Sequence, residues 1–135
     1  MSRREAREAA FMFIYQIEFR PKDLESQREL FLNRYHFNES DLDFFDTLVS
    51  NVNQKKSEID KVFEPLLVGW RIDRLPRVDL TILRICTYEL ISIPDVPVSA
   101  SISEAVILAK RYGSDDSRSY INAVLGKIQP GAKNE

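Results

Sequence analysis

Histidine and cysteine are almost missing from this chain of 135 residues, which holds one of each, His36 and Cys86. A lone histidine leaves no second imidazole around which a base–nucleophile relay could form, and no cluster has metal-ligand spacing. A lone cysteine excludes an intrachain disulfide, which suits a reducing compartment such as the bacterial cytosol. Glycine is scarce, with four residues, and proline little better, with six. A β-rich fold with many tight turns would need more of both, and no glycine-rich phosphate loop exists. No segment approaches the roughly 18 apolar residues needed to span a bilayer. Arg3-Arg4 ahead of the apolar stretch Ala9 to Ile14 is no signal peptide, because Glu5, Arg7 and Glu8 interrupt it and no small-residue cleavage site follows. A basic excess is also missing: the net charge is −2 and the pI about 5.5. A broad basic surface for nucleic acid normally brings a basic pI. Any RNA site must therefore be local, or be completed by a basic partner.

What is present points to helices. The 44% apolar share is ordinary for a globular protein, and 30% charged residues suit solvated outer faces. The length suits one domain that needs no metal or disulfide to hold it. Ser2 and Glu5 form a capping box ahead of a first helix running to Phe19, with Ala6, Ala9, Ala10, Phe13 and Ile17 on its inner face. A second helix is expected from Leu24 to Tyr35. Asn38 or Ser40 caps a third, whose stripe is Leu42, Phe45, Leu48, Val49 and Val52. The pattern resumes at Ile59, Val62 and Phe63 after a polar stretch, which leaves one long helix or two, and Pro65 kinks whatever surrounds it. Pro76 starts a helix that is apolar on nearly every side, through Leu80, Ile82, Leu83, Ile85, Cys86 and Leu90, as suits a central strut. After a stiff loop over residues 93–97, Ser101 and Glu104 form a second capping box. Gly113 closes that helix in a left-handed conformation. Asp115, Asp116 and Ser117 open the last helix, with the two acids as caps. Ile121, Val124, Leu125 and Ile128 face inward, and Pro130-Gly131 ends it. The class is all-α, with residues 131–135 as a flexible tail.

The amino terminus carries the functional signal. On a helical wheel Arg3, Arg4 and Arg7 share one arc of about 100°, away from the Ala6, Ala9 and Phe13 face. Phe11, Ile14 and Tyr15 continue that outward sector. Three arginines in the first turns oppose the helix dipole, so helix stability does not explain them. The guanidinium fork suits phosphate, and Tyr15 or Phe11 can stack on an unpaired base. The plain alternative is a solvated face with Arg4 and Glu8 paired at helical spacing. His36 between Tyr35 and Phe37 reads as a loop residue, and Cys86 as a small buried hydrophobe.

Five blocks, in order along the chain, resemble the NusB family of bacterial transcription antitermination factors. They are Arg3-Arg4-Glu5-Ala6-Arg7-Glu8-Ala9-Ala10 with Tyr15-Gln16; Trp70 with Asp73-Arg74-Leu75; Ile82-Leu83-Arg84-Ile85 with Tyr88-Glu89-Leu90; residues 93–97 followed by Glu104-Ala105-Val106 and Ala109 to Gly113; and Asp116-Ser117 with Tyr120-Ile121-Asn122 and Val124-Leu125. The resemblance implies a compact bundle of about seven helices in one domain over residues 1–130. Its two packed halves would divide near residue 68. It implies a cytoplasmic, non-enzymatic protein that binds the single-stranded boxA element of nascent ribosomal RNA jointly with the ribosomal protein NusE. That complex helps RNA polymerase resist termination. Family RNA contacts fall on Arg3, Arg4, Arg7 and Tyr15, and on Asp116 and Tyr120 at the start of the last helix. The NusE side falls on Asp79 and Ile82. No cofactor or metal is implied, and some members form homodimers. Ala123 departs from the family's usual glycine, at a position that implies close packing.

Two other readings remain beside it. One is a helical protein–protein adaptor with little RNA binding of its own. The other is a piece of an enzyme, since similar domains precede the catalytic part of some ribosomal RNA methyltransferases.

Overall fold

The computed structural model describes residues 2–93 and 95–128, and every regular element among them is helical. The expected stop at Pro130-Gly131 and the tail over residues 131–135 lie outside the described residues. No described helix is long and apolar enough to cross a membrane.

Helix α1 spans Arg3–Phe19, and its capping box forms as the spacing predicts. Ser2 Oγ accepts from the Glu5 amide at 3.1 Å, and Glu5 Oε1 accepts from the Ser2 amide at 3.2 Å. Ala6, Ala9, Ala10, Phe13 and Ile17 are all buried. Asp23 adopts a left-handed conformation (φ 56°) just before α2, Leu24–Leu32, which ends three residues earlier than expected. Helix α3, Glu39–Gln54, is capped by Asn38, whose Oδ1 accepts from the Asp41 amide at 2.8 Å. Helix α3 packs on α1. Their meeting place is an aromatic cluster, with Phe13 5.1 Å from Phe31 and 5.9 Å from Phe45 between ring centroids.

The polar stretch resolves into two helices. Lys55 leaves helical geometry (ψ 23°), and α4 runs Lys56–Phe63. Pro65 does not kink a helix; it sits in a 3₁₀ turn, Glu64–Leu66, just past the end of α4. The chain divides here into two compact units, one ending at Gln54 and the other beginning at Lys55. The division therefore falls earlier than the expected residue 68. Helix α4 goes with the second unit because it packs on α5, Arg77–Ser92. Ile59 and Phe63 are buried, and Arg84 of α5 grips Asp60 with two bonds of 2.9 Å.

Within the second unit α5 is the central strut. Leu80, Ile82, Leu83, Ile85, Cys86 and Leu90 are all buried, and α4, α6 and α7 pack against the helix. It begins one residue later than expected, with Pro76 as the flanking residue. Helix α6, Val98–Tyr112, begins before Ser101, so the expected second capping box does not form. The Pro97 carbonyl, held at φ −59°, accepts from the amides of Ala100 and Ser101 instead. Ser101 is buried inside the helix, and its carbonyl accepts from the Cys86 thiol at 3.4 Å.

Two further expectations fail where α6 meets α7, Ser117–Gly126. Gly113 is extended (φ −90°), not left-handed. It is glycine for want of room: a Cβ there would lie 2.6 Å from Ser117 Cβ and 2.8 Å from the Ala109 carbonyl. Asp116 flanks α7 but makes no side-chain capping bond. Ser117 Oγ holds the turn instead, accepting from the Ser114 amide at 2.9 Å. Ile121, Val124, Leu125 and Ile128 face inward as the periodicity predicts. Ala123 is exposed, so its methyl meets no close packing in the isolated chain.

Candidate nucleic-acid interface

In the first unit the arginine arc is only partly a surface. Arg3 and Arg4 are exposed, but Arg7 is 7% exposed. Phe11 and Ile14, expected to face outward, are buried as well. The buried face of α1 is wider than its alanine stripe because α3 brings Phe44 against the arginine side. The Arg3 guanidinium carbon lies 4.1 Å from the Phe44 ring centre, and that of Arg7 lies 5.3 Å away. Arg3 Nη2 also donates to Ser40 Oγ at 3.5 Å. These two contacts favour one placement of the exposed arginine.

Phe44 is the residue that the stripe-based reading missed. It lies four positions before Leu48, so the signal was an aromatic at helical spacing on the flank of the stripe. Tyr15 is half-buried within a ladder along α1. Its ring centre lies 6.3 Å from that of Phe11 and 5.1 Å from that of Phe19, which is exposed. Exposed Arg3 and Arg4 lie at the start of α1, and the Tyr15–Phe19 pair lies near its end.

In the second unit Asp116 is exposed and Tyr120 is half-buried. Burial pushes the Tyr120 phenol upward; the Val68 backbone partly offsets this, and the Asp79 charge adds to it. Asp79 and Ile82, which the resemblance places on the NusE side, present almost no surface in the isolated chain. Ile82 has no exposed surface, and Asp79, 6% exposed, accepts a 2.7 Å bond from the Ser117 hydroxyl. A helix packed on several sides turns both residues inward. Burial raises the Asp79 carboxyl above its usual range, and the Ser117 bond opposes that shift. Trp70 and Val68 are the large apolar residues exposed in this unit. His36 is exposed and Cys86 buried, in line with their plain readings. Among the described residues no three histidine, cysteine or acidic side chains are grouped to hold a metal.

Known proteins resemble this chain along nearly its whole length. The NusB family profile matches residues 4–130. Transcription antitermination protein NusB of Acetivibrio thermocellus is 40% identical over 128 residues, covering 95% of this chain and 88% of that protein. Among solved structures, NusB of T. maritima aligns with a TM-score of 0.84 at 34% identity, covering 95% of this chain and 90% of that one. A crystal structure of antitermination factors NusB and NusE in complex with double-stranded RNA aligns with a TM-score of 0.81 at 26% identity. That alignment covers 95% of this chain and 97% of the other.

Proposed function

The chain belongs to the NusB family, and from that premise we propose that it is a cytoplasmic transcription antitermination protein, not an enzyme. In this reading it binds the boxA element of nascent ribosomal RNA transcripts jointly with NusE, and the assembly helps RNA polymerase resist termination. One observation supports it most directly: Arg3 is exposed yet lies over Phe44 at 4.1 Å, beside exposed Arg4. A guanidinium with one favoured placement loses less conformational freedom when it meets phosphate. Arg7 contributes from beneath, through the same ring. Tyr15 offers a stacking face. Asp116 and Tyr120 form a second RNA-proximal region, where the acid can accept hydrogen bonds from bases. The solved NusB–NusE neighbour holds double-stranded RNA, whereas a single strand is proposed for this chain, so both are to be titrated.

The experiment is RNA titration of the double variant Arg3→Ala, Arg4→Ala. Binding of a boxA-like single strand should weaken. Its salt dependence should flatten by roughly 0.7 in log–log slope for each phosphate that is no longer neutralised. Circular dichroism should be unchanged, because both side chains are exposed. Unchanged RNA affinity in the folded variant sinks the assignment. If the natural chain binds NusE but no RNA, the adaptor reading replaces it.

A further inference from the structure

Beside Arg3 is a groove whose opposite wall is acidic. It has a volume of about 530 Å³ and is lined by Arg3, Glu39, Ser40, Asp43, Phe44 and Thr47. It is a shallow depression, open to solvent over most of its extent. One wall is the Arg3 guanidinium lying over the Phe44 ring. The other is α3, which presents Glu39, Asp43 and Thr47 at successive four-residue steps along one face. Neither carboxylate makes an ion pair or hydrogen bond among the described residues. Two carboxylates repel a phosphodiester. They attract a flat, neutral group that carries N–H donors on its edge. A planar guanidinium backed by an aromatic ring offers such a group a face to stack on.

We propose that this groove is a nucleobase pocket that seats one unpaired base of the RNA, and that it prefers guanine. The proposal rests on the RNA reading above and specifies what that site recognises. Guanine presents N1–H and N2–H side by side, which matches the two oxygens of one carboxylate. Cytosine and adenine present a single amino group to it. Uracil has one N–H between two carbonyl oxygens, and these face the carboxylates unfavourably. Arg3 supplies the shelf, Asp43 and Glu39 accept from the base edge, and Ser40 and Thr47 can bond to either kind of group. Phe44 is a positioning residue: it touches no base and acts by holding Arg3.

The test is fluorescence anisotropy on the full chain, with and without NusE. The probe is an oligouridine of about eight nucleotides, compared with strands that carry one central guanine, inosine, cytosine or adenine. The guanine strand should bind at least about fivefold tighter than oligouridine, the lower end of bidentate discrimination. Inosine, which lacks the N2 amino group, should fall between them. The double variant Glu39→Gln, Asp43→Asn should bring the guanine-to-uracil ratio close to one without weakening oligouridine binding. Phe44→Leu should weaken every strand several-fold at unchanged helicity, and Phe44→Tyr should restore binding. Equal affinity for guanine and uracil strands overturns the pocket and leaves the RNA reading standing. So does a ratio that survives the double variant. Loss of NusE binding rather than of base preference in the double variant also overturns it, by making the groove a protein contact. A chain that binds no RNA at all, with or without NusE, overturns both.

Discussion

The Ser117 hydroxyl donates to Asp79 Oδ1 across 2.7 Å, joining the first turn of α7 to the first turn of α5 over 38 residues of sequence. The same hydroxyl accepts from the Ser114 amide. One buried oxygen therefore ties the loop before α7 to the central helix. Burial takes part of the hydration of the Asp79 carboxylate away in the process.

That desolvation predicts a pH dependence. The folded-state carboxyl of Asp79 titrates above its unfolded value because burial outweighs the Ser117 bond. The protonated form is thus favoured by folding. Its contribution is fully present below the unfolded value, near 3.8, and is lost as pH rises through the higher folded value. Asp79→Asn, which keeps the shape without the charge, should be more stable than the natural chain at pH 7. The advantage should shrink toward pH 4. Urea titrations at both pH values check this. A variant less stable at neutral pH would show that the charged Ser117 bond outweighs desolvation.

Gly113→Ala should destabilise the protein by about 1–3 kcal/mol, the usual range for forcing extra atoms into a packed site. Backbone conformation is not the cause, since φ is −90°. The added Cβ would meet Ser117 and the Ala109 carbonyl, and the latter cannot move without shifting the helix. The Gly113→Ala penalty should be smaller when measured in a Ser117→Gly background than in the natural chain, since that background removes the clashing atoms. Thermal melts of the single and double variants give the answer.

Leu83→Ala should cost about 2–5 kcal/mol, the range for emptying a packed site. Leu83 is fully buried on the central strut of the second unit. A denaturant titration measures it, and a loss below about 1 kcal/mol would mean that the strut is loosely packed.

RNA and NusE should bind cooperatively. The chain is slightly acidic, and its exposed arginines at the start of α1 are too few for tight binding by counterion release alone. A basic partner would supply the missing cations. NusE should then tighten RNA binding by about tenfold or more, a coupling of about 1.4 kcal/mol, and RNA should tighten NusE binding by the same factor. Two titrations at one salt concentration suffice. Equal RNA affinity with and without NusE removes the reason for a composite site.

The sequence alone determined the features that one or two helical turns can specify. The Ser2–Glu5 box, the Ala6 to Ile17 face of α1, the Ile121 to Leu125 face of α7 and the all-round burial of α5 were all legible. Each depends on residues within hydrogen-bond or side-chain reach of one another along the chain. Only the tertiary structure decided which further surface is covered. Arg7 has the spacing of a solvated residue, yet Phe44, 37 positions later, covers it. The family resemblance puts Asp79 and Ile82 on a partner surface, yet the helices around α5 enclose them. Gly113 stands where a left-handed cap would, but its need for glycine comes from Ser117. In each case the deciding atoms belong to another helix. Burial is set by the whole packed neighbourhood, and no local spacing rule contains it.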